Sequence, residues 1–431
     1  MAFDSGVLVG SVTDVGMRRT TNQDSYSLIV ADTPDLWRHR GHFLMVADGM
    51  GAHAAGELAS KLAAEGVPHL YHKLRELSPP EALQRAIVET NAEVHRRGMA
   101  NPDFHNMGTT ASALVLLPQG AIAAHIGDSR IYRLRGGVVQ QLTFDHSLQW
   151  ELRAAGQIVD GTDAAAAVPK NVITRSLGPN ATVQVDLEGP HPVELHDVFL
   201  LCSDGLTGRV EDDELGIIMG CLPPQEAAQL LVDLANLRGG PDNITVLVAR
   251  VIKGEATTVG ANAPPLALGS KRELRPVHPA LWITAGVCAL AGGVMALMGH
   301  LVPGGIALLG AAIAGFVGVL QRFSGFVRGT PLGVDGRMLG KGPYTQTSAM
   351  PNPAMVAKLI SVLEELRVAA RDNGWELNWS RVDDLARQAA ASNRAGRYGD
   401  AIASYGRAVM VVMQDLRAQN IRKGSDSAIQ Y

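Results

Sequence analysis

Along the first 250 residues the apolar positions follow two alternating periods. Short β-branched and aliphatic runs at 43–47, 110–117, 121–126, 131–135, 198–201 and 244–251 predict strands. Turn residues join several of these runs. Leu116-Leu117-Pro118-Gln119-Gly120-Ala121 and Arg135-Gly136-Gly137-Val138 predict hairpin connections, and hence antiparallel pairing rather than a βαβ repeat. Helical periodicity covers 57–77, with Pro68 as a place for a kink, and 80–97 and 224–238, each with proline in its first turn. Residues 1–253 are therefore expected to form one α/β domain.

After this domain the pattern changes three times. Residues 254–278 begin with a Gly/Ala/Pro-rich stretch without apolar periodicity and are expected to be a linker. From 280 to 320 there is no Asp, Glu, Lys or Arg, and Gly299-His300-Leu301-Val302-Pro303-Gly304-Gly305 breaks the run near its middle. A membrane-spanning helix needs about 20 mainly apolar residues, so 279–321 predicts a hairpin of two transmembrane helices. The alternative is a buried helix pair in a soluble protein. Lys271, Arg272 and Arg275 precede the run and Arg322 and Arg328 follow it, whereas the intervening loop carries only His300. The positive-inside rule then places the domains on both sides of the hairpin in the cytoplasm of a cell-membrane protein.

A connector over 322–354 leads to renewed helical periodicity at 355–422, where Val356, Leu359, Ile360, Leu363 and Leu366 share one stripe. This part is expected to be a small all-α domain, followed by a tail at 423–431. Its segment from Ala391 through Tyr398 and Tyr405 to Ala408 resembles a tetratricopeptide repeat, but one copy is visible where a stack needs about three. A helical bundle that folds by itself or self-associates is the other reading.

Composition narrows the function. The chain has 431 residues, 46% of them apolar and 19% charged, enough for a large core. A net charge of -4 without a Lys/Arg run argues against nucleic acid as a partner. Cys202, Cys221 and Cys288 are too few and too scattered for a disulfide framework or a thiolate zinc site, which fits a reducing compartment. The opening Met1-Ala2-Phe3-Asp4-Ser5-Gly6 lacks a basic segment leading into an apolar one and is not expected to be a secretory signal.

Candidate chemistry lies in five acidic clusters at strand ends or adjoining turns. They are Asn22-Gln23-Asp24, Ala47-Asp48-Gly49-Met50-Gly51, Gly127-Asp128-Ser129-Arg130, Ser203-Asp204-Gly205 and Pro241-Asp242-Asn243. Any one such pair is usually a turn. Five of them on one rim would repel unless cations sat between, and hard divalent ions suit an all-oxygen site whose glycines let the backbone approach. Two ions about 3.5 to 4 Å apart can lower the pKa of a shared water and clamp a phosphoryl oxygen. Such a site would hydrolyse a phosphate ester without a covalent enzyme intermediate.

Arg19 with Asn22-Gln23-Asp24, then 48–57, Gly108-Thr109-Thr110, Gly127-Asp128-Ser129-Arg130, Thr174-Arg175-Ser176-Leu177-Gly178, Ser203-Asp204-Gly205-Leu206 and Asp242-Asn243-Ile244-Thr245 occur in an ordered series. In this the chain resembles the metal-dependent protein phosphatases of type 2C, the PPM family, in particular bacterial ones, over roughly residues 7–253. The resemblance implies an α-β-β-α sandwich of two antiparallel sheets flanked by helices, with two Mn²⁺ or Mg²⁺ ions and a third, weaker site. It implies that Asp48 bridges the ions, Gly49 offers its carbonyl, Asp204 and Asp242 complete the first ion, and Asp128 with Asp204 holds the third. Asp24 would bond to water at the metals, and Arg19 would hold the phosphate through two hydrogen bonds.

The implied activity is hydrolysis of phosphoserine and phosphothreonine in proteins, opposing a Ser/Thr kinase in membrane-associated signalling. A catalytically silent, membrane-anchored scaffold is the alternative. Two positions depart from the family pattern. Gln23 stands where many relatives have Glu, and Met50 where eukaryotic members have a histidine, so the leaving group must take its proton from a bound water or another group. His53 is near in sequence and is expected to position the loop rather than to donate that proton.

Overall fold

The computed structural model describes residues 5–51, 54–159, 161–169, 172–261, 263, 266–272, 279–323, 327–332 and 339–428. Its strands, in chain order, are β1 (Val7–Asp14), β2 (Asp24–Ile29), β3 (His42–Met50), β4 (Gly108–Thr109), β5 (Ala111–Leu117), β6 (Gly120–Ile126), β7 (Arg130–Arg135), β8 (Val138–Gln141), β9 (Asp186–His191), β10 (Val198–Cys202), β11 (Ile244–Val251), β12 (Leu266–Arg272), β13 (Val327–Leu332) and β14 (Thr345–Ser348). The longer helices are α1 (Ala54–Lys73), α2 (Pro79–Ala100), α3 (Asp212–Cys221), α4 (Pro224–Leu237), α5 (Pro279–Leu297), α6 (Leu301–Phe323), α7 (Pro353–Asn373), α8 (Trp379–Arg394) and α9 (Tyr398–Ala428). The first helix ends four residues before the expected 77 and carries Pro68 inside it.

Two antiparallel sheets form the frame, in the orders β1-β11-β10-β7-β8-β14 and β2-β3-β5-β6-β9, with β4 paired to β3. The expected hairpins are present, β5 turning into β6 and β7 into β8. Strands buried on both faces need apolar residues at every position, and the period of two then divides them. Phe199 and Leu201 of β10 and Leu247 and Ala249 of β11 enter the layer between the sheets with Leu44, Val46, Leu114 and Ile131. Val198, Leu200 and Cys202, with Ile244, Val246 and Val248, face the other way into a cluster with α3 and α4. Over the second sheet lies α1, with Tyr71 against Phe43 at 5.6 Å between ring centroids. This is the sandwich of two antiparallel sheets flanked by helices that the resemblance implied.

The chain divides into two compact units, one comprising 1–265 and 333–431, the other 266–332. Within the first, the C-terminal helices share the apolar cluster of α3 and α4: Met355, Val356, Leu359, Leu363 and Leu366 of α7 and Ile402, Tyr405, Val409 and Val412 of α9 are buried there. Approach is close at Gly406, where an added Cβ would lie 2.6 Å from Leu230 Cδ2. Charges ring this contact. Lys358 bonds Glu214 at 2.9 Å, Arg407 bonds Glu226 at 2.8 Å, and Arg417 bonds the buried Asp233. Residues 345–348 add β14 to the edge of the first sheet, with Thr345 opposite Gln141 and Ser348 opposite Val138.

The second unit holds α5 and α6 and the antiparallel pair β12–β13, which lies within the expected linker and connector. Both helices are long and apolar enough to cross a membrane. Leu297, Leu301, Ile306, Leu309 and Phe316 are exposed. Small residues bring the helices together: a Cβ on Gly292 would sit 2.9 Å from Gly304 O.

Candidate metal centre

Each sequence-predicted aspartate sits at or beside one end of a strand. Asp24 opens β2 directly opposite Asp48 near the end of β3, so pairing alone brings these two together. Asp128 follows β6, and Asp204 follows β10 as the first residue of a short helix, 204–207. Asp242 immediately precedes Asn243 and β11. Sheet register therefore gathers residues more than two hundred positions apart.

The carboxyl groups of this cluster act on one another. Burial foremost, then the charges of Asp24, Asp204, Asp128 and Asp242, push Asp48 well above the usual carboxylate range. Asp24 is pushed up to about 7, by burial and by Asp204 and Asp242, against the hydrogen bonds of Ser203 and Thr245. Asp128 rises to about 8 through burial and the charges of Asp204 and Asp145. Asp204 is raised by burial and Asp242, and a hydrogen bond with Asp48 opposes the rise.

Two carboxylate oxygens, Asp24 Oδ1 and Asp128 Oδ1, are buried without a hydrogen-bond partner. An orphaned buried acceptor is costly, and a divalent cation or its water is the partner that would remove both the orphaning and the repulsion. Among the described residues, no group of three or more His, Cys, Asp or Glu side chains is arranged to hold an ion unaided. The candidate donors are carboxylates and a backbone carbonyl, an all-oxygen set of the kind that suits Mg²⁺ and Mn²⁺.

Backbone packing fixes the carriers. A Cβ on Gly49 would lie 2.2 Å from Gly56 O and 2.6 Å from Gln23 O, so only glycine fits there. Thr110 donates its N–H to Asp48 O at 2.9 Å, and its Oγ1 accepts the Asp48 N–H at 2.8 Å. Thr109 also donates its hydroxyl to Asp48 O. The two threonines thus hold the Asp48 peptide in place. Asn243 joins two loops. Its Oδ1 accepts the Gln23 N–H and its amide donates to Val15 O and Thr21 O, tying the Arg19 loop to Asp242. Ser203 was named in the sequence only as a neighbour of Asp204; its hydroxyl donates to Asp24 Oδ2 at 2.7 Å and accepts the Thr245 N–H.

A cleft of about 940 Å³ opens beside the cluster, bordered by Arg19, Asp128, Asp204 and Asp242. Arg19 donates to Asp242 Oδ2 at 2.9 Å while half of its side chain stays exposed. Asp24, Asp48 and Gly49 do not border the cleft. Arg130 is held by Asp145 and Tyr132. Met50 terminates β3, and His53 lies outside the described residues.

Comparison with known proteins places these features in a family. The family described as Protein phosphatase 2C matches residues 17–220. Protein phosphatase PhpP of Streptococcus pneumoniae is 36% identical over 252 residues, 58% of this chain and 99% of that protein. Serine/threonine phosphatase stp of Listeria innocua is 36% identical over 241 residues, 55% of this chain and 92% of that protein. The solved structure of the S. agalactiae serine/threonine phosphatase is matched with a TM-score of 0.50 and 32% identity, covering 57% of this chain and all of that one.

Proposed function

We propose, from the premise that this chain belongs to the protein phosphatase 2C family of serine/threonine protein phosphatases, that it removes phosphate from phosphoserine and phosphothreonine in proteins at a two-ion Mn²⁺ or Mg²⁺ site. The observation that carries this is the pair of orphaned oxygens on Asp24 and Asp128 within a mutually repelling carboxylate cluster. Asp48, the Gly49 carbonyl, Asp204 and Asp242 would hold the two ions, and Asp128 with Asp204 a third. Bound there, the ions would supply a water that is nucleophilic at neutral pH and charge to stabilise the phosphoryl oxygens.

The chain's own residues do the rest. Arg19 spends one N–H on Asp242 and keeps an exposed guanidinium for the phosphate, whose planar fork matches two phosphoryl oxygens. Asp24 is held by Ser203 through Oδ2, which leaves Oδ1 free to accept a hydrogen bond from water at the metals and orient it. Burial raises the Asp24 carboxyl, Ser203 and Thr245 oppose that rise, and a cation beside it would oppose it further. All five aspartates of the proposed set are retained, which favours an active enzyme over a silent scaffold.

The exposed apolar faces of α5 and α6 support anchoring in the cell membrane by two spans, with the phosphatase unit on the cytoplasmic side opposing a Ser/Thr kinase. The test is hydrolysis of phosphoserine and phosphothreonine peptides by the full chain with and without Mn²⁺, beside Asp204→Ala. Turnover by Asp204→Ala equal to the wild type would refute the metal assignment. Recovery of the intact chain in the soluble fraction after cell lysis would refute the anchoring.

A further inference from the structure

The cleft beside the carboxylates has a wall that the phosphatase part of the sequence does not supply. Thr345 and Thr347 border it, and they lie on β14, far beyond the 17–220 stretch that matches the family and on the other side of the apolar helix pair. The strand alternates half-buried Thr345 and Thr347 with exposed Gln346 and Ser348, so its period of two presents both threonines to one face.

This strand is built in at both ends. Before it, the buried Glu188 carboxylate accepts the N–H groups of Lys341 and Gly342, at 3.2 and 2.9 Å, and the Tyr344 hydroxyl. Tyr344 N–H donates to Gln141 O at 2.8 Å, and after the strand Ala349 N–H donates to Gly137 O at 2.7 Å. The Thr345 hydroxyl reaches Asp212 Oδ2 at 3.5 Å.

A second observation at the same wall points to a ligand. Gln141, the strand partner of Thr345, also borders the cleft and is fully buried. Its amide N–H groups are committed, one to Thr143 O and one to Asp145 Oδ1, both at 2.8 Å. Its Oε1 has no partner. Buried acceptors are normally satisfied, and an orphan at a cleft wall is a place where a bound molecule supplies the donor. A phosphate group has little to offer it at neutral pH. A peptide does, because each residue flanking the phosphorylated one brings a main-chain N–H.

We propose that Gln141, Thr345 and Thr347 form a peptide subsite of the phosphatase cleft, in which Gln141 Oε1 and the two hydroxyls bind main-chain groups of the residues flanking the phosphorylated Ser or Thr. This rests on the phosphatase reading and deepens it: the strand returned by the C-terminal part selects phosphopeptides over small phosphate esters. A site built around hydrogen bonds discriminates strongly against substrates that lack the matching groups.

The test uses the full chain in detergent with Mn²⁺ and two substrates, a phosphothreonine peptide and p-nitrophenyl phosphate. Thr345→Val with Thr347→Val keeps the β-branched shape that suits a strand and removes only the hydroxyls. The expected result is a threefold or greater fall in the ratio of kcat/KM for peptide over aryl phosphate, carried by KM. A smaller change, a parallel loss on both substrates, or a fall confined to kcat overturns the proposal. Should the double variant misfold, N-methylation of each flanking peptide N–H in turn reads the same subsite with the wild-type chain: one position must raise KM at least threefold, and none doing so overturns it. A wild-type chain that turns over neither substrate refutes the phosphatase reading, and the subsite with it.

Discussion

Replacing Arg417 by Met tests how the C-terminal helices are held to the phosphatase. Arg417 lies on α9 and bonds Asp233 on α4, whose side chain has no exposure. Burial raises the Asp233 carboxyl to about 6, and the charge and hydrogen bond of Arg417 keep it from rising further. For an acid whose folded pKa lies above the unfolded value, the folded state binds the proton more tightly. Stability then falls as pH rises from 3.8 through about 6 and is level above that. Without Arg417 the folded pKa climbs and the decline continues to higher pH.

At pH 5 the carboxyl is mostly protonated in both proteins, so the variant loses a hydrogen bond and some packing, about 1 kcal/mol. At pH 8 it leaves a buried charge without its partner, a loss of about 3–5 kcal/mol. With roughly 2.1 cal/mol/K per residue over the roughly 360 residues of this unit, the extra loss of about 3 kcal/mol lowers Tm at pH 8 by about 4 °C more than at pH 5. Thermal unfolding of the two full-length proteins in detergent measures it. The titrating carboxylates of the metal cluster are common to both and cancel. Equal Tm losses at the two pH values, or a larger loss at pH 5, would refute the reasoning.

Three further outcomes follow from the same geometry. Asp204→Asn removes a like charge from a repelling cluster, so at pH 8 the metal-free variant unfolds at a higher temperature than the metal-free wild type, while the gain of about 2.7 kcal/mol expected at a hundredfold excess of Mn²⁺ over Kd disappears; a thermal shift assay reads both. Arg19→Ala lowers kcat/KM about 10- to 100-fold, the loss of charge-assisted hydrogen bonds to phosphate, and Arg19→Lys restores only part because an ammonium lacks the two-pronged fork; steady-state kinetics decides. Glu188→Gln deprives the 341–344 segment of an acceptor and exposes it to hydrogen exchange, with a cost of about 1–3 kcal/mol; unchanged exchange there would count against anchoring by Glu188.

The strands of the sandwich were legible because burial on both faces writes a continuous apolar run, as in Val198–Cys202, and the turn residues at Pro118-Gln119-Gly120 mark a hairpin. The aspartates were legible as an ordered set, with Asp48, Asp128, Asp204 and Asp242 each standing beside such a run. What escaped was long-range pairing of residues without a local signature. Thr345–Ser348 is a four-residue polar strand with no apolar alternation, and only its register against β8 makes it part of the sheet. Asn243 and Ser203 read as turn residues because their turns are real; their bonds to Gln23 and Asp24 depend on strand order, which no local period encodes. The stripe of α7 foretold a buried face but carried no mark of what would bury it.

The same pairing accounts for how the proposed phosphate ligand and the proposed metal ligand keep their spacing. Asp14 closes β1, and its Oδ1 accepts the Gly16 N–H at 2.9 Å and an amide N–H of Asn236 at 3.1 Å. Gly16 then turns with φ +80, so near the Asp242 carbonyl that a Cβ would stand 2.1 Å from its oxygen, and Met17 N–H bonds Gly240 O at 2.8 Å. Arg19 is two residues further on. The loop before it and the loop before Asp242 are therefore one hydrogen-bonded body, closed from the other side by Asn243. Arg417 reaches the same Asp14 at 3.9 Å. A helix of the C-terminal part thus touches the residue from which the Arg19 turn starts, as well as the buried Asp233.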